Sequence, residues 1–163
     1  MSSEKEFMEL ALEEAKVAYS QGNLPVGAVL VIKGKLVGKE HNSTTTDKNY
    51  CSHAESKLIS QFSKEIKELR GLDVRLYTTL EPCLMCASIA GLNRIKEIIY
   101  ACPDNFGGSK NIEINNLPEW YHTHWPKMRQ GPFEQESYSL LISYLKENKK
   151  DWEKFLERFE RKQ

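Results

Sequence analysis

One histidine, one glutamate and two cysteines in this chain have the types and the spacing of a catalytic metal site. His53 and Glu55 lie two residues apart, and Cys83 and Cys86 follow at Cys-x-x-Cys spacing, directly after Pro82. One imidazole and two thiolates provide three zinc ligands, and a catalytic zinc keeps its fourth position open for water. Glu55 would then carry protons between that water and a substrate. The pattern predicts hydrolytic chemistry with one zinc ion per chain.

The predicted secondary structure places these residues at the starts of two helices. One helix is predicted over residues 52–69, and Gly71 just after it is a typical helix-terminating residue. Pro82 fits the first turn of a second helix, which carries both cysteines. The free N–H groups and the dipole of a helix N-terminus favour negative charge, so they help a thiol to lose its proton. We therefore expect two helix N-termini to face one metal ion.

Periodicity along the rest of the chain predicts an α/β fold in a single domain, residues 1–163. Helices are predicted over residues 4–20, 52–69, 134–145 and 151–161 and from residue 82, and strands over residues 25–32, 36–40, 73–79, 95–101 and 127–130. The strand–helix–strand order of residues 73–101 favours parallel pairing. Residues 103–125 are expected to form a loop. The aromatic side chains of residues 120–125 are expected to pack beneath this loop or in an oligomer interface. The C-terminal segment 146–163 is expected to be a helix that acts as a lid or an interface.

Composition limits the classes of partner. The 163 residues are 40% hydrophobic and 28% charged, as is usual for a soluble globular protein. The 23 Lys and Arg residues balance the 23 Asp and Glu residues, whereas proteins that bind nucleic acid usually carry a basic excess. This balance makes tRNA a less favoured partner than a small molecule. The chain shows neither a signal peptide nor a membrane span, so we expect a cytoplasmic location and no membrane partner.

Two other interpretations of the cysteine pair stay open. Such a pair also occurs at a helix start in thioredoxin-like redox proteins, although the upstream His53 and Glu55 count against this. Alternatively, Cys51 or Cys102 supplies a fourth ligand to a structural zinc, which would make the chain a non-catalytic interaction domain with Glu55 an idle surface acid. In a reducing compartment, all the cysteines are expected to be ligands or buried thiols rather than disulfides.

These motifs resemble those of the cytidine/deoxycytidylate deaminase-like zinc hydrolases, most strongly over residues 24–101 and in the block LYTTLEPCLMCA at residues 76–87. The resemblance implies a three-layer α-β-α sandwich with a mixed five-stranded sheet, a zinc ion, and a homodimer or higher homo-oligomer. It implies replacement of the exocyclic amine of a nucleobase or nucleoside by oxygen, with release of ammonia. It also implies substrate contacts from Asn42, from the backbone of Ala54, and from Pro25 and Val26.

The resemblance leaves the substrate branch open. The pattern is most similar to that of bacterial tRNA adenosine deaminases and of the small guanine and cytosine deaminases. Asp104 and the following Gly-Gly-Ser resemble the tRNA enzymes, whereas Phe106 resembles a phenylalanine that closes over the base in fungal-type cytosine deaminases. Asp104 and Phe106 are therefore two further candidate substrate contacts. A free nucleobase or nucleoside is the leading expectation, and deamination of the wobble adenosine of tRNA is the alternative.

Overall fold

A mixed five-stranded sheet with the strand order β2-β1-β3-β4-β5 forms the centre of the computed structural model, which describes residues 3–160. Strand β1 (Gly27–Ile32) pairs antiparallel with both β2 (Lys35–His41) and β3 (Val74–Leu80). Strands β4 (Glu97–Cys102) and β5 (Lys127–Gln130) extend the sheet in parallel. All five strands lie where the sequence predicts them, and the predicted mixed sheet is confirmed.

Alternate residues of the central strands point to two different helical layers. Leu30, Leu76 and Ile98 pack under the second and third helices of one layer, whereas Val29 and Tyr77 pack under the first helix on the other side. The described helices are α1 (Glu4–Ser20), α2 (Ala54–Gln61), α3 (Ser63–Glu68), α4 (Leu84–Leu92), α5 (Glu119–His124), α6 (Glu134–Glu147) and α7 (Lys149–Glu160). Burial on both faces of the sheet is the feature that confirms the predicted α/β three-layer fold. None of the described helices combines the length and the apolar character needed to cross a bilayer.

The predicted helix over residues 52–69 is wrong in its continuity. It begins at Ala54 and breaks at Phe62, which leaves helical geometry with φ −105° and ψ 18°. The Phe62 ring occupies the space beside Gly38 of β2, where any Cβ atom would collide with it. Because Ile59 and Ile66 remain buried on either side of the break, the apolar periodicity continues through it and hides it from sequence analysis.

Other parts of the chain also differ from the prediction. Pro82 precedes α4 instead of lying in its first turn, because the next residue, Cys83, forms a β-bridge with Gly108 and is the N-cap of the helix. The predicted loop over residues 103–125 contains a short 3-10 helix (Ile114–Asn116) and α5. The last predicted helix begins two residues earlier, at Lys149, and its predicted end at Arg161 lies outside the described residues.

Candidate active site

The three candidate zinc ligands converge where α2 and α4 begin. His53 is the N-cap of α2, Cys83 is the N-cap of α4, and Cys86 lies in the first turn of α4. His53 Nδ1 lies 3.6 Å from Cys83 Sγ and 3.5 Å from Cys86 Sγ, and the three donor atoms lie within 4.8 Å of one another. Tetrahedral ligands of zinc are separated by roughly 3.5–3.8 Å. The donor types and their spacing therefore fit a zinc ion.

The two thiols of this cluster have opposite proton affinities. A hydrogen bond with Cys86, assisted by His53, lowers the pKa of Cys83 to about 4 in spite of desolvation. The same hydrogen bond, together with burial, raises the pKa of Cys86 well above its usual value. Cys83 is therefore a thiolate at neutral pH, which is the form that binds metal. Cys86 would release its proton as a metal binds.

Glu55 lies in the first turn of α2, two residues after His53, and its side chain is buried. The Thr78 hydroxyl donates a hydrogen bond to Glu55 Oε1 over 3.1 Å, and the Cys86 thiol contacts Oε2 at 3.7 Å. Desolvation by burial is the main cause that raises the pKa of Glu55. A carboxyl group with a raised pKa can both accept and return protons near neutral pH. Glu55 is not the surface acid expected for a purely structural zinc site.

The candidate fourth ligands lie outside the cluster. Cys51 is exposed, and Cys102 is buried at the end of β4, where desolvation raises the pKa of its thiol to about 12. Within residues 3–160, the group whose donor atoms could share a metal consists of His53, Cys83 and Cys86. Three protein donors are the usual number at a catalytic zinc, whereas structural sites have four.

A cavity of about 550 Å³ opens directly onto this cluster. Four of the predicted substrate contacts line it, namely Val26, Asn42, Asp104 and Phe106. Ala54 has its side chain in the core under α2, so only its backbone could face a substrate, and Pro25 is buried behind the lining. The other lining residues are Leu24, Thr44, Thr45, Lys48, Asn49, Tyr50, His53, Glu55, Leu80, Glu81, Cys83, Trp152 and Phe155.

The part of this wall formed by residues 44–50 was not predicted from the sequence, whereas the part formed by α7 lies in the segment 146–163, for which a lid was one of the two predicted roles. The sequence of residues 43–49 predicts only a polar loop, because it contains no motif with a known chemical role. Tyr50 follows this loop, and its side chain is 95% exposed at the mouth of the cavity, which the sequence does not indicate. Trp152 and Phe155 read as the inward face of an amphipathic helix. Their place in the wall follows from a T-shaped contact between Phe155 and Phe106, with ring centroids 5.3 Å apart.

Glu81 connects the metal-binding turn to the cavity wall. Its buried carboxylate accepts hydrogen bonds from the backbone N–H groups of Asp104 (3.1 Å) and Lys110 (2.9 Å), and it pairs with the Lys110 ammonium group at 3.3 Å. Asp104 in turn accepts hydrogen bonds from the N–H groups of Phe106 and Gly107. The loop that carries Asp104 and Phe106 is thus fixed to the residue two positions before Cys83.

Comparisons with known proteins agree with this site. The description of the matching family model is "Cytidine and deoxycytidylate deaminase zinc-binding region", and it matches residues 1–102. The tRNA-specific adenosine deaminase of Bacillus subtilis is 33% identical over 150 residues, which cover 92% of this chain and 93% of the relative. The tRNA-specific adenosine deaminase of Aquifex aeolicus is 37% identical over 142 residues, 86% of this chain and 92% of the relative.

Solved structures give the same result. A structure from studies of A-to-I editing by tRNA:A34 deaminases is 34% identical, has a TM-score of 0.74, and is matched over 84% of this chain and 99% of its own. A guanine deaminase from Nitrosomonas europaea shares the fold, with 17% identity, a TM-score of 0.67, and coverage of 88% of this chain and 85% of its own. The chain belongs to the zinc-binding cytidine and deoxycytidylate deaminase family. It is a hydrolytic deaminase that acts on a nucleobase or nucleoside unit, so the redox and non-catalytic interpretations are not supported.

Replacing the residue that holds the Glu55 carboxylate tests its positioning. Thr78→Val keeps the shape of the side chain but leaves Glu55 Oε1 without its donor, and we expect kcat to fall about tenfold, as for the loss of a hydrogen bond to a charged group. Thr78→Ser is the matched control, because it keeps the hydroxyl group and should stay close to wild type. Equal kcat values for the two variants, measured as ammonia release, would show that this hydrogen bond has no role.

The two adjacent glycines of the cavity loop provide a second test. A Cβ atom at Gly108 would overlap the Asp104 carbonyl oxygen and the Glu81 carboxylate, whereas one at Gly107 meets only Asp104 Oδ2 at 3.3 Å. Because Gly108 pairs with Cys83, we expect Gly108→Ala to weaken zinc binding about 10–100-fold, a typical cost of disturbing a ligand's support. Gly107→Ala is the control. Equal zinc affinities for the two variants in a chelator competition would contradict the coupling.

Proposed function

We propose that this protein converts adenosine to inosine at the wobble position of tRNA. The observation that carries this proposal is the similarity to the two tRNA-specific adenosine deaminases, which extends over 86–92% of the chain. The solved structure from studies of tRNA:A34 deaminases supports it at 34% identity. The proposal reverses the order of the sequence-based expectations, in which a free nucleobase or nucleoside came first and tRNA second.

We further propose that His53, Cys83 and Cys86 hold one zinc ion per chain. The support is the donor set itself, with one imidazole nitrogen and two sulfurs at the separations that zinc ligands have. A zinc ion held there supplies Lewis acidity, which brings the pKa of water close to 7. The thiolate form of Cys83 contributes the negative charge that such a cation needs.

Glu55 is the proposed proton carrier of the reaction. Its carboxylate accepts a proton from the attacking water, whose oxygen bonds to C6 of the adenine ring, and gives that proton to the ring nitrogen N1. It then carries the second proton of the water to the exocyclic nitrogen, the C6–N bond breaks, and ammonia leaves. The hydrogen bond from Thr78 holds the carboxylate in one orientation through these transfers.

The cavity has room for one nucleoside, since about 550 Å³ lies in the range of small-molecule sites. An RNA substrate therefore has to turn its target nucleotide out of the stack. We propose that Val26, Phe106 and Phe155 form the apolar walls around the base and that Asn42 and Asp104 supply polar contacts. Segment 146–163 would act as a lid through α7, whose described part ends at residue 160.

The assembly and the location belong to the same proposal. We propose that residues 1–163 act as one deaminase domain, that the chain forms a homodimer or higher homo-oligomer, and that it works in the cytoplasm. Leu84 at the start of α4 supports self-association, because this apolar side chain is 52% exposed.

Replacing Glu55 tests the function directly. We expect Glu55→Gln to keep one zinc per chain and to lose at least about 1000-fold in inosine formation, because the proton carrier is gone. The substrate is an anticodon stem-loop RNA with adenosine at the wobble position, and zinc is measured by elemental analysis. Glu13→Gln, at an exposed glutamate on α1, is the control. Faster ammonia release from cytosine, guanine or free adenosine than from the RNA would contradict the tRNA assignment.

Tyr50 at the cavity mouth provides a test of the RNA contact. Its exposed ring can stack on a base next to the target nucleotide, and such stacking is worth about 1–3 kcal/mol. We expect Tyr50→Ala to raise KM for the stem-loop RNA about 5–50-fold with little change in kcat. Tyr50→Phe keeps the ring and should behave as wild type. A loss of kcat shared by both variants would instead assign Tyr50 to the chemistry.

A further inference from the structure

A surface with six cations lies at the end of the sheet opposite the cavity. It consists of two adjoining grooves, which share Arg70 and Arg94 and have no acidic residue among their described lining. All six cations are exposed: two lie on α3, three in the turns that lead from α3 to β3 and from α4 to β4, and one at the start of β5. This basic face comprises Lys64, Lys67, Arg70, Arg94, Lys96 and Lys127.

The cations of the basic face have no acidic partners within residues 3–160. The lysines and arginines that form ion pairs in the described residues are a different set, namely Lys39, Lys57, Arg75, Lys110, Arg129 and Lys146. Glu65 and Glu68 alternate with the lysines of α3, and Glu119 begins α5. Glu97 lies in register with Lys127, but its carboxylate pairs with Arg75 and Arg129. None of these four acids lines a groove. Six unpaired cations in a chain without net charge make a concentrated positive surface.

The backbone brings the two arginines of this face together. Gly71 approaches Arg94 so closely that a Cβ atom on it would overlap the Arg94 carbonyl carbon and oxygen. Arg70 and Arg94 both have left-handed backbone conformations, with φ 52° and 60°, at positions where glycine or asparagine is usual after a helix. The chain thus has a charged side chain at two sites where the backbone favours other residues.

Aromatic rings accompany these charges. The Arg94 guanidinium lies over the Trp120 ring at 5.1 Å, and Trp120, itself 42% exposed, stacks on His124 with centroids 4.1 Å apart. Arginine next to exposed aromatic rings is a common composition of surfaces that bind nucleic acid. The cavity is different, because its lining has three carboxyl groups, those of Glu55, Glu81 and Asp104, and a single lysine, Lys48.

We propose that the basic face binds the phosphodiester backbone of the stem of the RNA substrate while the target nucleotide occupies the cavity. This inference rests on the proposed function. Helix α4 connects the two sites, with Cys83 at its start and Arg94 just past its end, and its nine residues span roughly 14 Å. A double-stranded nucleic acid has a phosphate about every 1.7 Å along its axis. A stem that extends over roughly 14 Å therefore presents about eight phosphates to the protein.

The test removes four charges from the basic face and four from elsewhere. Asparagine replaces the residues with left-handed backbone, because it tolerates that conformation, and the folding of both variants is checked by thermal melting. The basic-face variant is Lys64→Gln, Lys67→Gln, Arg70→Asn and Arg94→Asn. The control variant is Lys5→Gln, Lys16→Gln, Lys39→Gln and Lys146→Gln, whose side chains are exposed on α1, β2 and α6.

Binding of the anticodon stem-loop RNA is measured by fluorescence anisotropy across a salt series. We expect the basic-face variant to bind at least about 10-fold more weakly than the control, with the slope of log K against log salt shallower by roughly 3, as for the loss of four phosphate contacts. Deamination of a short single-stranded RNA that contains the target adenosine should be the same in both variants. Equal affinities and slopes would overturn the inference.

Two further outcomes separate this inference from the proposed function. If sedimentation shows that the basic-face variant loses self-association while its RNA affinity equals that of the control, the surface is a protein interface and the inference is wrong. If wild type binds the stem-loop through the basic face but forms no inosine, the proposed function fails and the RNA-binding surface stands.

Discussion

The structure depends on the convergence of two helix N-termini on one imidazole and two sulfur atoms. His53 and Cys83 are both N-caps, so the backbone that starts α2 and α4 also sets the separations of 3.5 and 3.6 Å between nitrogen and sulfur. Tetrahedral coordination tolerates little change in such distances. The sheet satisfies this requirement because α2 and α4 pack on the same face and share one core with β1, β3 and β4.

The metal-binding turn and the substrate cavity behave as one unit because they share hydrogen bonds. Glu81 holds both ends of the loop from Asp104 to Lys110, and Ser109 donates to the Pro82 carbonyl through its N–H and its hydroxyl. A shift of Cys83 would therefore move the part of the cavity wall that carries Asp104 and Phe106. The buried carboxylate of Glu81 is stable next to the cavity because both of its oxygens accept hydrogen bonds.

The four chemical residues could be predicted from sequence because the chemistry restricts both their types and their local spacing. The strands could also be predicted, since β-branched runs between turn residues reflect burial on both faces. The break at Phe62, the start of α4 after Pro82 and the part of the cavity wall formed by Tyr50 could not. Each of these is decided by contacts between distant segments, such as the Phe62 ring beside Gly38.

The balanced composition pointed away from RNA because a sum over the chain carries no information about position. Helix α1 alone has Glu4, Glu6, Glu9, Glu13 and Glu14 against two lysines, and it packs on the face of the sheet opposite α2 and α4. The cations of the basic face lie instead on α3, in the turns that follow α3 and α4, and at the start of β5. Among the acids of α1, Glu4 pairs with Arg129, which is not part of this face, and screening at physiological salt limits the reach of the other acids to about 8–10 Å. A protein without net charge can therefore present a surface that attracts a polyanion.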